Sequence, residues 1–275
     1  MALPVRRLIV HGQDPSLVSA AAVVHAIRLP ISQFRTTVAA LAPPAEDIML
    51  RRAAVLRAEA CAALRAAVDA AAATAPDSVD GLADHQLDLR SLAELEALIG
   101  ADGLAALQGL PIEFGSSERR AATLFDSKRD AEALLGSAQG AASNRLRVSQ
   151  MFVRRYCCDT RPWFTFHRDA GPLTVNVALA DDASFEGGRL LALFDGQVRA
   201  VERAQGEATV HPATLLHGVG RMTGGVRYSL ILFFRFRPCV DAAMDTVEVG
   251  SQGVPGAGGV QSGEGKTPLL RNPVE

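Results

Sequence analysis

From residue 146 onward, apolar residues come in short runs broken by turn residues. Residues 146–149 and 150–156 read as strand. Residues 173–179 (Leu-Thr-Val-Asn-Val-Ala-Leu) alternate in the period of two that a strand requires. Residues 189–194 and 197–201 flank Asp195-Gly196, a two-residue hairpin signal. Residues 207–211 and 226–236 supply two more strands. Many short strands separated by turns predict two packed sheets, such as a jelly roll. Upstream the period changes. Residues 59–73 are rich in Ala, Leu, Arg and Glu, and Leu64, Val68 and Ala71 form one apolar stripe of a helix. Val55-Leu56 before it reads as a short strand. Ser91-Leu92-Ala93-Glu94 has capping-box spacing and opens a helix that Gly100 stops near Leu98. A short helix is expected over 104–107, a loop over 111–117, a helix over 128–135 and a loop over 136–143. The fold class expected is α+β: a double-stranded β-helix, or jelly-roll, core over 145–237 with N-terminal helices from 55–140 packed on one side.

The ends differ from this middle. Residues 1–50 form a weakly readable extension, with Arg6, Arg7, Arg28 and Arg35 before Pro44 against a single acid, Asp14. Such a bias can mark organelle targeting, although a Ser-poor Ala/Val-rich extension is the plainer reading. Residues 51–240 hold the folded domain. Residues 246–275 are Gly-rich, with too few apolar side chains to bury, and are expected to be disordered. At 275 residues and 48% hydrophobic, the chain can bury a sizeable core. A net charge of −2 argues against nucleic-acid or membrane-surface partners. No apolar run reaches the roughly 18–20 residues of a membrane span. Cys61, Cys157, Cys158 and Cys239 match no zinc spacing and read as reduced thiols of a cytoplasmic protein.

The candidate chemistry centres on Phe166-His167-Arg168-Asp169. Residues i and i+2 of a strand share a face, so His167 and Asp169 can converge on one point. His217, 50 residues on, can add a second imidazole. Two His and one carboxylate on one face of an octahedron leave three positions open, the facial triad of non-haem Fe(II) oxygenases. Arg227 lies ten residues after His217 in an apolar run, where a charge is costly without an anion. Ser229 shares its strand face, and Tyr156 lies on the strand leading to the metal loop. A planar guanidinium suits a carboxylate, and 2-oxoglutarate would be that partner.

Read together, His167-Arg168-Asp169-Ala170, residues 173–179, Phe185-Glu186-Gly187-Gly188, His211-Pro212 to His217, and Gly225-Val226-Arg227-Tyr228 resemble the Fe(II)/2-oxoglutarate-dependent dioxygenases. The likeness is to the catalytic domains of prolyl 4-hydroxylases and procollagen lysyl hydroxylases, over roughly residues 145–237. It implies iron on His167, Asp169 and His217, and the distal carboxylate of 2-oxoglutarate on Arg227. Asn176 and Tyr156 would lie in or beside the co-substrate pocket. The expected cofactors are Fe(II) and 2-oxoglutarate as co-substrate, with ascorbate as an accessory reductant. The expected reaction is hydroxylation of a prolyl or lysyl side chain in a peptide or protein, with release of succinate and CO2. A carboxylate at Asp169 fits hydroxylation, since related halogenases carry a small apolar residue there. Two readings compete: a hydroxylase of a free amino acid or small metabolite, and a non-catalytic cupin-like binding protein. Ala180 stands where lysyl hydroxylases usually carry Asn, and their glycosyltransferase-type regions are absent, so a collagen substrate does not carry over.

Other residues have plainer expectations. His211, six residues before His217, is the rival third ligand but has the wrong spacing to Arg227, and is taken as structural. His11, His25 and His85 read as surface residues. Cys157-Cys158 read as incidental thiols. Trp163 and Phe164 are divided between the substrate mouth and the core, and Arg161 is a weak candidate for an acidic substrate. Gly187-Gly188 reads as a turn. Removing residues 250–275 is expected to leave fold and activity intact. A shift in thermal midpoint or loss of iron in the truncated protein would contradict this.

Overall fold

The computed structural model describes residues 44–71, 83–124 and 146–236. The expectations for residues 1–43 of the N-terminal extension, for residues 128–143 and for the Gly-rich tail fall outside them; residues 44–50, read as part of that extension, instead belong to the fold, with Ile48 and Met49 buried and Leu50 paired with Val210. Short helix α1 (Ala45–Ile48) leads into β1 (Leu50–Arg52), α2 (Ala58–Ala70), β2 (His85–Asp88), α3 (Leu92–Gly115) and α4 (Glu118–Ala122). The strands β3 (Leu146–Tyr156), β4 (Phe164–His167), β5 (Leu173–Ala178) and β6 (Glu186–Gly187) follow. Then come β7 (Leu190–Phe194), β8 (Gln197–Val201), β9 (Ala208–Pro212), β10 (His217–Val219), β11 (Met222–Gly224) and β12 (Arg227–Phe236).

A major sheet runs β1-β9-β5-β12-β3-β2, and a minor sheet runs β4-β10-β7-β8; β11 pairs with β6. All pairings in the major sheet are antiparallel. The chain crosses between sheets at β3–β4, β4–β5, β8–β9 and β9–β10, as a jelly roll requires.

The major sheet buries both faces, and the alternation of its strands sorts them by chemistry. Val175 and Val177 of β5, Ala208 and Val210 of β9, Leu230 and Leu232 of β12, and Met151 and Val153 of β3 form one core with Leu64 and Val68 of α2 and Leu95, Leu107 and Phe114 of α3. The intervening residues point the other way. Register sets Tyr156 opposite Arg227, and Arg154 and Ala178 opposite Ser229. It sets Asn176 opposite Thr209, and Thr174 opposite His211. Opposed residues share a face, so these side chains form a polar inner surface. Tyr156 packs with Phe164 of β4 and Val219 of β10, which places the minor sheet over that surface. The alternation Thr174-Val175-Asn176-Val177 therefore separates two buried sides rather than core from water.

Several local expectations change. Val55-Leu56 is not a strand: Ala54 turns at φ 52, and the Val55 and Leu56 amides donate to the Gly206 carbonyl. The pairing segment is β1 just before it. Ser91 caps α3 by accepting from the Glu94 amide at 3.1 Å. Gly100 (φ 78, ψ 164) is non-helical and ends the first part of α3 as expected, a second helical part following directly. The helix continues through Pro111 to Gly115, where a loop was expected, because Leu107, Leu110, Pro111 and Phe114 are buried there. That burial outweighs the hydrogen bond Pro111 cannot make. The two strand readings over 146–156 are one strand, β3, and β2 is an additional edge strand. His85 is half-buried, its Nε2 2.9 Å from the Val68 carbonyl oxygen.

Gly206 (φ +78) joins the helical layer to the sheet. A Cβ there would lie 2.2 Å from the Leu56 carbonyl oxygen. Gly206→Ala is expected to lower stability by about 2–3 kcal/mol, read as an earlier urea midpoint at unchanged slope. An unchanged midpoint would show that the Leu56 turn yields freely.

Candidate metal centre

The minor sheet positions the two imidazoles. β4 and β10 are neighbours, and His167 is opposite His217. Asp169 follows two residues after His167, past the end of β4. There Thr174 of β5 donates its hydroxyl to Asp169 Oδ2 at 2.5 Å. His167 Nε2 lies 3.3 Å from Asp169 Oδ1, and His217 Nε2 lies 3.7 Å from Asp169 Oδ2. One ligand atom from each of the three residues lies within 4.8 Å of the others, and this set can hold a metal ion.

Hydrogen-bond partners fix where the protons are. A carbonyl oxygen only accepts, so His167 Nδ1 donates to Thr165 at 2.9 Å and His217 Nδ1 donates to Leu215 at 3.2 Å. In a neutral imidazole the other nitrogen is then a bare lone pair, so both Nε2 atoms offer lone pairs toward Asp169. Burial holds the His217 imidazole down to about 3, against the pull of Asp169. It is neutral at ordinary pH. Burial pushes the Asp169 carboxyl up, and positive charge on the His217, His167 and His211 imidazoles would pull it well below the usual carboxylate range; with the imidazoles neutral, that pull falls to a bound cation. Lone pairs and an anion crowded in a dry interior repel one another unless a cation joins them. The donor set therefore fits a divalent metal with mixed nitrogen and oxygen ligands.

His211, expected to be structural, lies outside the three-residue ligand set but borders it. It is 1% exposed. Its Nδ1 donates to the Pro212 carbonyl at 3.2 Å. Its ring lies 4.5 Å from that of His217, and Nε2 has no partner 3.9 Å from Asp169 Oδ2. The signal was present in β9, where Thr209 and His211 alternate with Ala208 and Val210.

A second polar cluster occupies the same inner surface. Arg227 is 1% exposed, its guanidinium 4.9 Å from the Tyr156 ring centroid. None of its three guanidinium nitrogens has a hydrogen-bond partner, nor has the Ser229 hydroxyl. Burial pushes the Arg227 guanidinium below its ordinary value, against the pull of Tyr156 and Asp182. Arg203, absent from the sequence-based site, is buried too. It donates from Nη1 to Asn176 Oδ1 at 2.8 Å, while its Nε and Nη2 have no partner. Burial first, then Arg227, push the Arg203 guanidinium down to about 9. Asn176 is thus in this cluster through a bond to Arg203. No spacing rule would have found Arg203, which lies in the link between β8 and β9.

The remaining candidates separate. Arg161 is fully buried, 3.2 Å from Asp84 Oδ1 and over the Phe164 ring, so it braces the interior and does not meet a substrate. Phe164 belongs to the core, whereas half-buried Trp163 carries the Arg221 guanidinium 4.1 Å above its ring. Cys61 and Cys157 are buried free thiols, and Cys158 is an exposed one.

No family model matches the chain, and no curated protein matches it. Among solved structures, a Pseudomonas putida prolyl-4-hydroxylase is 20% identical, covering 69% of this chain and 92% of its own, at TM-score 0.42. The viral collagen prolyl hydroxylase of Paramecium Bursaria Chlorella virus-1, in its 2-oxoglutarate complex, is 12% identical over 69% of this chain and 97% of its own, at TM-score 0.42. The non-haem α-ketoglutarate-dependent epimerase of nogalamycin biosynthesis is 19% identical over 79% and 93%, at TM-score 0.43.

Replacing His167, Asp169 or His217 by Ala is expected to weaken Mn(II) binding by more than about 100-fold, and Thr174→Val by roughly 10–100-fold, since that hydroxyl orients the carboxylate. His211→Ala should retain the metal. Calorimetric titration of each folded variant reads all five. Metal loss in His211→Ala with retention in His217→Ala would overturn the ligand assignment.

Proposed function

We propose that this protein is an Fe(II)- and 2-oxoglutarate-dependent dioxygenase that hydroxylates an unactivated C–H bond. One observation carries the reading. A lone-pair set suited to a divalent metal and a buried guanidinium with no ion pair among the described residues lie on one enclosed polar surface. A keto acid with a distal carboxylate matches both: its head completes a metal's open positions and its tail meets Arg227. Held there, Fe(II) would let dioxygen act as the oxidant, with 2-oxoglutarate giving up two electrons as it is decarboxylated: one oxygen atom would enter the substrate C–H bond and the other succinate, with release of CO2.

The chain's own residues have separate tasks. His167, Asp169 and His217 would hold the metal, with two imidazole nitrogens and one carboxylate oxygen. The Thr165 and Leu215 carbonyls keep each Nδ1 protonated, so each Nε2 stays available. Thr174 holds one Asp169 oxygen and limits how that carboxylate can turn. Arg227 and Ser229 fix the far end of the co-substrate. Tyr156 walls the pocket and keeps water from the guanidinium. The apolar layer beneath α2 and α3 makes the major sheet a rigid platform for these groups.

Resemblance of the sequence motifs to prolyl and lysyl hydroxylase domains supports a prolyl or lysyl side chain of a peptide as substrate. A free amino acid is the competing substrate, separable by a succinate-release screen of peptide and amino-acid pools with mass detection of a singly oxygenated product. The test of the class itself is anaerobic titration with Fe(II) and 2-oxoglutarate, where the chelate is expected to give a weak visible charge-transfer band. Its absence would favour a non-catalytic binding protein. Arg227→Ala is expected to raise the apparent constant for 2-oxoglutarate about 10–100-fold, the loss of roughly 1.5–3 kcal/mol of charge-assisted hydrogen bonding. Arg227→Lys should fall between, keeping the charge but not the fork. An unchanged constant in folded Arg227→Ala would place the carboxylate elsewhere.

A further inference from the structure

We infer that Arg203 is a second carboxylate-binding residue, meeting the co-substrate's distal carboxylate together with Arg227. The inference rests on the reading of the pocket as a 2-oxoglutarate site. Arg203 is 3% exposed, and its Nε and Nη2 have no partner. With the three nitrogens of Arg227 and the Ser229 hydroxyl, six donor-bearing atoms are unmatched in one part of the interior. Such groups are rare unless a ligand satisfies them.

The placement is built rather than accidental. Arg203 Nη1 is anchored 2.8 Å from Asn176 Oδ1. Asn176 is opposite Ile231, two residues from Ser229 on β12, so the anchor lies on the Arg227 face of the sheet. The backbone is anchored as well: the Arg203 amide donates to Asp182 Oδ2 at 3.0 Å, and the Asp182 amide donates to the Arg203 carbonyl at 3.0 Å. These bonds fix one end of the guanidinium and leave Nε and Nη2 without a protein partner.

Charge points the same way. Two buried guanidiniums repel each other, and among the described residues neither has a carboxylate within ion-pair distance. Asp182 is one nearby anion, but its Oδ2 is engaged by the Arg203 backbone amide. Glu207 is 2.6 Å from Arg51. With Arg189 a further cation near Arg227, the pair keeps an excess of positive charge that a distal carboxylate would offset. The fork of Arg203 also makes the pocket selective for acids with that second carboxylate over keto acids without it. Asn176, expected to border the co-substrate, becomes the residue that aims Arg203.

The test is calorimetric titration of the Mn(II)-loaded full chain with 2-oxoglutarate and, separately, with 2-oxobutyrate, which has the same keto-acid head but no distal carboxylate. Wild type should prefer 2-oxoglutarate strongly. Arg203→Gln should narrow that preference about 10–100-fold, with 2-oxobutyrate affinity and Mn(II) affinity unchanged. A merely structural role for Arg203 would instead weaken both acids alike. Arg203→Lys, which keeps the charge and disturbs the fold least, should narrow the preference less than Arg203→Gln, and it carries the test where the Gln variant does not fold. Unchanged preference in either folded variant overturns the inference while leaving the co-substrate reading intact. A wild type that binds neither acid, or both equally, overturns that reading, and the inference with it.

Discussion

The structure depends on a polar surface enclosed inside the protein. In an ordinary half-buried sheet, alternation sends polar residues to water. Here the apolar side of the major sheet is covered by α2 and α3, and the polar side is covered by the minor sheet. The result is an interior with Arg203, Arg227, Asp169, His211 and His217 all nearly inaccessible. Unpaired buried groups of this kind cost several kcal/mol each. A fold keeps them only where something else fills the coordination and hydrogen-bonding vacancies they create. A metal and a dicarboxylate match the two kinds of vacancy, lone pairs at one place and guanidinium donors at the other.

The rest of the architecture serves that interior. Crossing between the sheets brings Asp169 from the loop after β4 against Thr174 of β5, and brings His217 of β10 against His211 of β9. No single sheet could do this, because a sheet presents its side chains in parallel rows. The three ligands come from β4, the loop after it and β10 of the minor sheet, and the facing major sheet adds the Thr174 hydroxyl and the His211 ring from the opposite wall. Buried structural charges elsewhere are handled differently. Arg154 and Arg161 share Asp84 and stack on Phe164. The contrast is informative: where the fold needs a buried guanidinium only for packing, it supplies a carboxylate.

The helical layer shows packing overriding local preference. Gly100 and Pro111 are both helix breakers; Gly100 does divide α3 into two helical parts, yet the second part runs on through Pro111 to Gly115. The apolar surface over Val175, Val177 and Leu230 extends along the sheet, and a helix that stopped at residue 99 would leave it in water. The burial of Leu107, Leu110 and Phe114 settles the matter.

The sequence alone determined the strand alternation, the hairpin at Asp195-Gly196, the capping of α3 at Ser91, and the spacing of His167, Asp169, His217 and Arg227. These are local properties, carried by period, turn chemistry and residue type. Tertiary structure alone decided which side of each strand is the inside, because both sides are buried and alternation carries no label for water. It decided that His211 stands beside His217, since that contact joins two sheets. It also decided that Arg203 reaches Asn176 across 27 residues of chain, and that Arg161 turns to Asp84. A charged residue in a linking segment looks the same in sequence whether it faces solvent or the interior. Only the closure of the second sheet over the first settles which one it does.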